Sequence, residues 1–301
     1  MSQKNSTPKF GISIALATPI DTDGRVAIDA LAVHLEDLLS RGVTSGTIFG
    51  TTGEGPSFGL SERARVAEGL VAAGIPATRI IEGIIACSHE EAVAALKGAY
   101  ARGAKAVLLA PPFYFRDNPE DALFAWFEGV FREVGAGLRD VILYHIPGMT
   151  GVPLSLDLIA RLRGAFPDAI LGVKDSSGDY AHSMRLIEAH GDLVILVGDE
   201  RYLGAACAKG AQGSICGCGN FMPELLVETV ATGTDFPAVK RLVDAVCDKP
   251  VIPAVKALTA HVTGDARFAS PRPPLARLDA AATRELSALL DEILASRDAA
   301  A

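Results

Sequence analysis

Ala169-Ile-Leu-Gly-Val-Lys-Asp-Ser-Ser-Gly178 is an apolar, β-rich run that ends on a charge and breaks into a polar turn closed by glycine. A run that is apolar on both faces suits a strand of a parallel sheet covered by helices. The lysine that closes it, Lys174, is costly there, because burial disfavours the ammonium form. The cost makes sense where a neutral amine is wanted. With an ordinary pKa of about 10.4, a solvated lysine is neutral at roughly one part in a thousand at pH 7. Desolvation raises that fraction, and a neutral amine can attack a carbonyl to form a Schiff base. A lysine snorkelling from a strand end, or paired with Asp175, accounts for the same residue without chemistry. The choice between them rests on the remainder of the chain.

Runs of the same kind recur on both sides. The strand candidates are Ile12–Ala17, Gly46–Phe49, Ile80–Ile85, Ala106–Leu109, Val141–His145, Ile170–Lys174, Leu193–Val197 and Gly213–Cys216. Between them lie amphipathic stretches that predict helices over Ile28–Arg41, Ser61–Ala73, Glu90–Arg102, Pro119–Val134, Leu156–Arg163, Tyr180–His190, Tyr202–Lys209 and Pro223–Thr232. Ser61 reads as a helix N-cap and Arg102-Gly103 as a helix stop. Strand ends recur about every 18 to 36 residues, the size of one βα unit. Eight such units predict a closed (β/α)8 barrel, a TIM barrel, over residues 1–234. A doubly wound open sheet is the runner-up. Against it, Gly50-Thr-Thr-Gly53 is no dinucleotide-binding fingerprint, and the chain has no phosphate-binding P-loop motif. Residues 235–301 turn all-helical, at about 237–247, 254–263 and 279–296, with Pro271-Arg-Pro-Pro274 between the last two. This three-helix tail is too short for a substrate domain and is expected to pack on the barrel.

With 301 residues, 49% of them hydrophobic, the chain can build one large core, and its net charge of -8 argues against a nucleic-acid surface. No apolar run approaches the roughly 20 residues of a membrane span. The start, Met1-Ser-Gln-Lys-Asn-Ser-Thr-Pro8, lacks the apolar core of a signal peptide, so a cytoplasmic location is the expectation. The five cysteines, Cys87, Cys207, Cys216, Cys218 and Cys247, are irregularly spaced and read as buried thiols. The six histidines form no paired-ligand spacing, which argues against a catalytic metal.

In a barrel, catalytic groups cluster where strands end and the following loops begin. These positions carry Thr18-Pro19, Gly50-Thr51-Thr52-Gly53-Glu54, Pro111-Pro-Phe-Tyr114, Tyr144-His-Ile-Pro147, Lys174, Gly198-Asp199 and Ser214-Ile215. The Gly-Thr-Thr-Gly turn offers two hydroxyls and several amides. It reads equally as a nest for a carboxylate or phosphate and as a self-capped turn. Tyr144 lies on the strand beside that of Lys174. A phenol there can shuttle a proton to a substrate oxygen, helped by a threonine hydroxyl; a core tyrosine with one hydrogen bond is the alternative. His145 should face the other way by strand alternation. Asp175 either orients a neighbouring loop or serves as a surface or capping carboxylate.

Gly50-Thr-Thr-Gly-Glu54, Tyr144-x-x-Pro147 with Thr150-Gly151, Lys174-Asp175-Ser-Ser-Gly178, Gly198-Asp199 and Gly213-x-Ile215 with Asn220-x-x-Pro223 resemble, in order and spacing, the dihydrodipicolinate synthase / N-acetylneuraminate lyase family. The likeness runs from about residue 10 to residue 235, with a compatible helical tail. It implies a (β/α)8 barrel, a Schiff-base lyase acting through a pyruvate-like enamine, and a homotetramer built from dimers. By resemblance Lys174 is the Schiff-base lysine and Tyr144 the proton relay. Thr51 is the hydroxyl that links Tyr144 to a second tyrosine, and Thr52 is its carboxylate-binding neighbour. Tyr114 matches that second tyrosine, given across the tight dimer interface. Gly198 and Ile215 match residues around the lysine, the Ile215 carbonyl facing substrate.

The departures concern the second half of the substrate. Synthases of this family typically read Tyr-Asn-x-Pro-x-Arg-Thr-Gly, and their arginine holds the second substrate's carboxylate. Here the stretch is Tyr144-His-Ile-Pro-Gly-Met-Thr-Gly151, so Met149 stands at the arginine position. Methionine supplies no charged clamp, worth about 1.5–3 kcal/mol per hydrogen bond, or about one to two decades of affinity. Glu54-Gly55 is closer to the sugar-acid lyase branch. Phe113 lacks a hydroxyl where synthases often carry tyrosine, which argues against feedback inhibition by lysine. The leading expectation is a metal-independent lyase that cleaves or forms a 2-oxo acid, such as a 2-keto-3-deoxy sugar acid, with pyruvate and an aldehyde as the other partners. It would use no cofactor beyond the covalent imine on Lys174. The alternatives within the family are 4-hydroxy-tetrahydrodipicolinate synthase, which joins pyruvate to aspartate semialdehyde, and a dehydratase using the same imine. Outside it stands a catalytically silent binding subunit, against which the combination of Lys174, Tyr144 and Thr51 speaks.

Overall fold

A computed structural model describes residues 10–298 of the chain; the N-terminal stretch Met1–Pro8, read above for a leader, lies outside them. Eight parallel strands close into a barrel in chain order: β1 (Gly11–Ala15), β2 (Ser45–Ile48), β3 (Ile80–Ile84), β4 (Ala106–Leu109), β5 (Val141–His145), β6 (Ile170–Asp175), β7 (Val194–Val197) and β8 (Gly213–Cys216). The helices are α1 (Ile28–Ser40), α2 (Leu60–Ala72), α3 (His89–Ala101), α4 (Glu120–Val134), the single turn α5 (Pro147–Thr150), α6 (Leu156–Ala165), α7 (Tyr180–His190), α8 (Leu203–Lys209) and α9 (Pro223–Thr232). The tail follows as α10 (Pro237–Cys247), α11 (Val251–Thr263) and α12 (Ala280–Asp298). The expected (β/α)8 barrel with a C-terminal helical segment is the observed fold.

Alternation along the strands builds two layers of core. Ile142 and Tyr144 join Ala15, Leu108, Leu196 and Ile215 inside the barrel. Val141 and Leu143 pack outward with Val173 and Ile195 against Phe127, Leu158 and Leu186 of the helices. The tail is fused to the same mass: Val239, Leu242, Val255, Leu258, Leu286 and Leu290 share one apolar core with Ile14, Leu35 and Leu226.

One irregularity sets the register of β6, the strand that carries Lys174. Val141 pairs with Ile170, but Ile142 pairs with Gly172, so Leu171 is an extra residue on β6. This β-bulge moves every later residue of β6 one place, and Tyr144 then stands opposite Lys174 and His145 opposite Asp175. Gly172 is required at the bulge, because a Cβ there would lie 2.1 Å from the Val194 carbonyl oxygen.

Several local expectations change. Ser61 does not cap α2, which starts at Leu60 behind an extended Gly59 and has no side-chain cap. The buried Phe58 and the preceding 3-10 turn bring the chain into the helix early. Ser88 caps α3 instead, accepting from the Glu91 amide at 3.1 Å. Arg102-Gly103 does end α3, with Gly103 at φ +79°. The helix expected from Tyr202 begins at Leu203, after a 3-10 turn over Glu200–Tyr202. The helix expected from residue 254 begins at Val251, because Pro253 sits in the first turn, where a missing N–H is harmless. Of the five cysteines, Cys247 is exposed and Cys87 half-buried, so only Cys207, Cys216 and Cys218 fit the buried reading. Cys247 is the last residue of α10, where the helix surfaces.

Candidate active site

At the C-terminal ends of the strands a cavity of about 540 Å3 opens, lined by Ala15, Thr51, Thr52, Tyr144, Lys174, Gly198 and Ile215 among others. This is the face of a (β/α)8 barrel where active sites form. Lys174 is 5% exposed and Tyr144 1%. The Lys174 ammonium donates toward the Tyr144 hydroxyl at 3.3 Å and stands 4.4 Å from the ring centroid. On its other side the Tyr144 hydroxyl lies 3.1 Å from Thr51 Oγ1. Lysine amine, phenol and threonine hydroxyl thus form one unbroken hydrogen-bonded chain, with the tyrosine ring locked in the barrel core. Thr18 Oγ1 donates to the Gly53 carbonyl at 2.9 Å and steadies the loop that carries Thr51 and Thr52.

The structure therefore brings Lys174, Tyr144, Thr51, Thr52, Gly198 and Ile215 together. Met149 also lines the cavity, 58% exposed on α5 at its mouth. Tyr114 is 77% exposed, sits edge-on against Phe115 and does not line the cavity of its own chain. Asp175 is neither a surface carboxylate nor a partner for Lys174. It points to the outer side, fully buried, and accepts from Ser183 Oγ at 2.7 Å and the Ser177 amide at 3.0 Å. Burial pushes its carboxyl up, but the hydrogen bonds from His182, Ser183 and Ser177 hold it below the usual carboxylate value. His145 faces the same outer side, as alternation requires, and stacks on His182.

Other lining residues escaped the sequence reading. Ser176, Glu200, Cys216, Cys218 and Cys247 line the cavity, and the tail closes one wall with Val243, Val246, Pro250–Pro253, Val255 and Leu275. Glu200 is buried and accepts from the Cys218 amide at 2.9 Å; burial pushes its carboxyl up. Asp199 is clamped by Arg201 at 2.6 Å. Among the described residues that line the cavity, Lys174 is the only cation. Behind the threonine loop, Glu54 and Lys256 form an ion pair at 2.6 Å with neither side chain exposed. Burial pushes the Lys256 ammonium down, against the charge and hydrogen bond of Glu54. Glu54 stood in a quoted motif, but Lys256 lies 202 residues away inside an ordinary helical pattern, and no local signal marks it.

Residues 9–293 match the dihydrodipicolinate synthetase family. The chain belongs to this family. It is 33% identical over 293 residues to an uncharacterized DapA-like lyase of Chloroflexus aurantiacus, covering 95% of this chain and 97% of the relative. Among solved structures, dihydrodipicolinate synthase from Agrobacterium tumefaciens superposes with a TM-score of 0.93 and 44% identity, over 95% of this chain and 99% of that one. The chloride-inhibited dihydrodipicolinate synthase of Acinetobacter baumannii, solved with pyruvate, gives a TM-score of 0.83 at 28% identity, over 95% and 99%. Family membership makes the chain an enzyme, a lyase of the class I aldolase kind that works without a metal.

Proposed function

We propose that this lyase forms a Schiff base between Lys174 and a 2-oxo acid, and that it makes or breaks a carbon–carbon bond next to a pyruvyl unit. The observation that carries this is the Lys174–Tyr144–Thr51 chain, 3.3 Å and 3.1 Å long in its two links. Nζ of Lys174, as the neutral amine, attacks the C2 carbonyl; the Tyr144 phenol gives its proton to the departing hydroxyl, which leaves as water, and the iminium, keeping one N–H, becomes an electron sink. Thr51 and Thr52 hold the C1 carboxylate with hydroxyls and amides. Tyr144 takes the proton of the C4 hydroxyl as the C3–C4 pair moves toward the imine and the aldehyde departs. Tyr144 passes that proton on to C3 of the enamine, and water hydrolyses the imine to release pyruvate and free Lys174. Tyr114 of a neighbouring subunit would extend the relay through Thr51 in a homotetramer. A cytoplasmic location fits this reaction.

For the aldehyde half, the cavity favours a neutral hydroxylated group over a second carboxylate. Met149 offers no charge, Lys174 is committed to the imine, and beyond it stand Ser176, Asp199 and Glu200. Asp199 is already neutralised by Arg201 and burial favours the uncharged form of Glu200, so these groups offer hydrogen-bond partners to sugar hydroxyls but no cation to hold a second carboxylate. This supports a 2-keto-3-deoxy sugar acid. The 44% identity to a protein named dihydrodipicolinate synthase favours condensation of pyruvate with aspartate semialdehyde instead. Incubation with pyruvate and borohydride tests the shared chemistry: an adduct is expected on Lys174 and none on Lys174→Ala. An unmodified wild-type enzyme sinks the mechanism. A panel of 2-keto-3-deoxy acids run beside aspartate semialdehyde plus pyruvate decides between the two substrates.

A further inference from the structure

Directly behind Lys174 and Tyr144, on the outer face of the same two strands, lies a buried polar junction that the reaction does not use. His145 and Asp175 are paired across β5 and β6, as Tyr144 and Lys174 are one residue earlier. The side chains alternate, so each catalytic residue is backed by a junction residue. Asp175 accepts from His182 Nδ1 at 3.1 Å and from Ser183 Oγ at 2.7 Å, both on α7. Its backbone carbonyl takes the Gly198 amide of the β7 end at 2.7 Å, and the Ser176 amide donates to the His145 carbonyl at 2.8 Å. His145 Nδ1 accepts from the Leu154 amide at 3.0 Å. The two imidazoles stack at 4.4 Å with their planes 16° apart.

The cluster is a stack rather than a chelate. Its three side chains each bring one ligand atom within 4.8 Å of the others. But Nδ1 of His145 is taken by an amide, and imidazole binds a metal in its own ring plane. Two nearly parallel stacked rings aim their lone pairs along separate planes that do not meet at one ion.

What the junction does follow from the bulge. The 3.3 Å contact between amine and phenol joins residues of different strands, so it depends on how the ends of β5 and β6 are held in register. The bulge at Leu171 creates that register upstream. Asp175 and the stack are placed to hold it downstream, where both strands give way to loops. Resting on the reading of Lys174 and Tyr144 given above, we propose that Asp175, gripped by His182 and Ser183 and braced by the His145–His182 stack, is a positioning residue that keeps the Schiff-base amine aligned with the proton-relay phenol.

At saturating pyruvate the extent of imine formation is an equilibrium that does not depend on how fast the phenol relays protons, whereas the rate of proton transfer at C3 of the enamine needs the amine-bound substrate and the phenol aligned. The two steps are separable with pyruvate as the only substrate. Borohydride trapping reports the imine, and exchange of pyruvate methyl protons in D2O, followed by NMR, reports enamine formation and protonation. A misplacement of about 1 Å can cost on the order of a hundredfold in rate. His182→Ala is expected to lower the maximal exchange rate about tenfold to a hundredfold, while the fraction of enzyme trapped at saturating pyruvate and the pyruvate concentration for half-maximal exchange stay within about twofold. His182→Asn keeps an N–H for Asp175 and is expected to recover most of the exchange rate. The proposal is overturned if His182→Ala exchanges like wild type, if trapping and exchange fall together as from lost folded protein, or if His182→Asn is folded but recovers nothing. A wild-type enzyme that traps no pyruvate fails at the earlier step and overturns the Schiff-base reading itself.

Discussion

Thr51 Oγ1 reaches only the phenol end of the Lys174–Tyr144–Thr51 chain, so on the mechanism proposed its removal separates proton transfer from formation of the imine. Thr51→Val keeps the shape and deletes the hydroxyl. It should lower kcat about tenfold to a hundredfold and leave the Lys174 adduct with pyruvate intact by mass spectrometry. Met149 is the other residue whose effect is local. It stands half in solvent at the cavity mouth, where a longer cation would meet no steric bar from a buried core. Met149→Arg should raise the affinity for aspartate semialdehyde by about one to two decades, read from KM in a coupled condensation assay, with little change in KM for pyruvate. Both positions were readable from motif alone. Glu200 was not, because its side chain reaches the cavity only once β6, β7 and β8 are side by side; Ser176 stood inside the Lys174–Gly178 motif but with no role attached to it.

Elements meet through a few buried polar groups, and those groups carry the pH response. Asn220, wholly buried, accepts from the Ala17 amide at 3.1 Å and donates to the carbonyls of Ala15 and Gly217, tying the end of β1 to the loop after β8. His34 of α1 joins it, its Nε2 lying 3.2 Å from Asn220 Oδ1. Burial pushes the His34 imidazole down to about 4, against the pull of the Asn220 hydrogen bond. Burial likewise lowers His145 to about 4, against the charge of Asp175. Both values lie below the ordinary 6.5, so the unfolded chain binds protons more readily than the native one over that window. The stability these neutral histidines bring is complete above pH 6.5 and is lost as the pH falls toward 4, at about 3 kcal/mol each. Urea unfolding at a series of pH values should show midpoints falling through this range. His34→Gln, which keeps a donor for Asn220 but does not titrate, should reduce the slope by about one proton. The barrel units and their order were legible because each strand is a short apolar run between amphipathic stretches. The bulge at Leu171 was not: nothing in Ile170-Leu-Gly-Val-Lys174 says which of its residues goes unpaired.

Across the whole molecule, the tail supports the site as well as the core. Lys256 of α11 reaches Glu54 beside the threonine loop and also donates to the Thr18 carbonyl. The second Glu54 oxygen accepts the Arg272 amide at 2.6 Å. The loop that holds Thr51 and Thr52 is thus anchored from the C-terminal segment. Removing one partner of a buried ion pair strands the other charge, at a cost of about 3–5 kcal/mol. Lys256→Met should lower stability by that amount in chemical denaturation, and Glu54→Gln added to it should restore part of the loss. If the double variant is no more stable than the single one, the stranded charge is not the cause.

The sequence by itself determined the kind of fold, the lysine and its phenol partner, and a departure at the cavity mouth, Met149. Each of these is written in a short window, as alternation, as strand-end chemistry, or as Met149 in place of an arginine. Only the tertiary structure decided that Lys174 faces inward. Strict alternation from the outward-packed Ile170 would have turned it toward the helices. The inserted Leu171, and a Gly172 that admits the Val194 carbonyl, turned it back. Strand register is set by pairing between segments, and a single strand read alone carries no record of its neighbour.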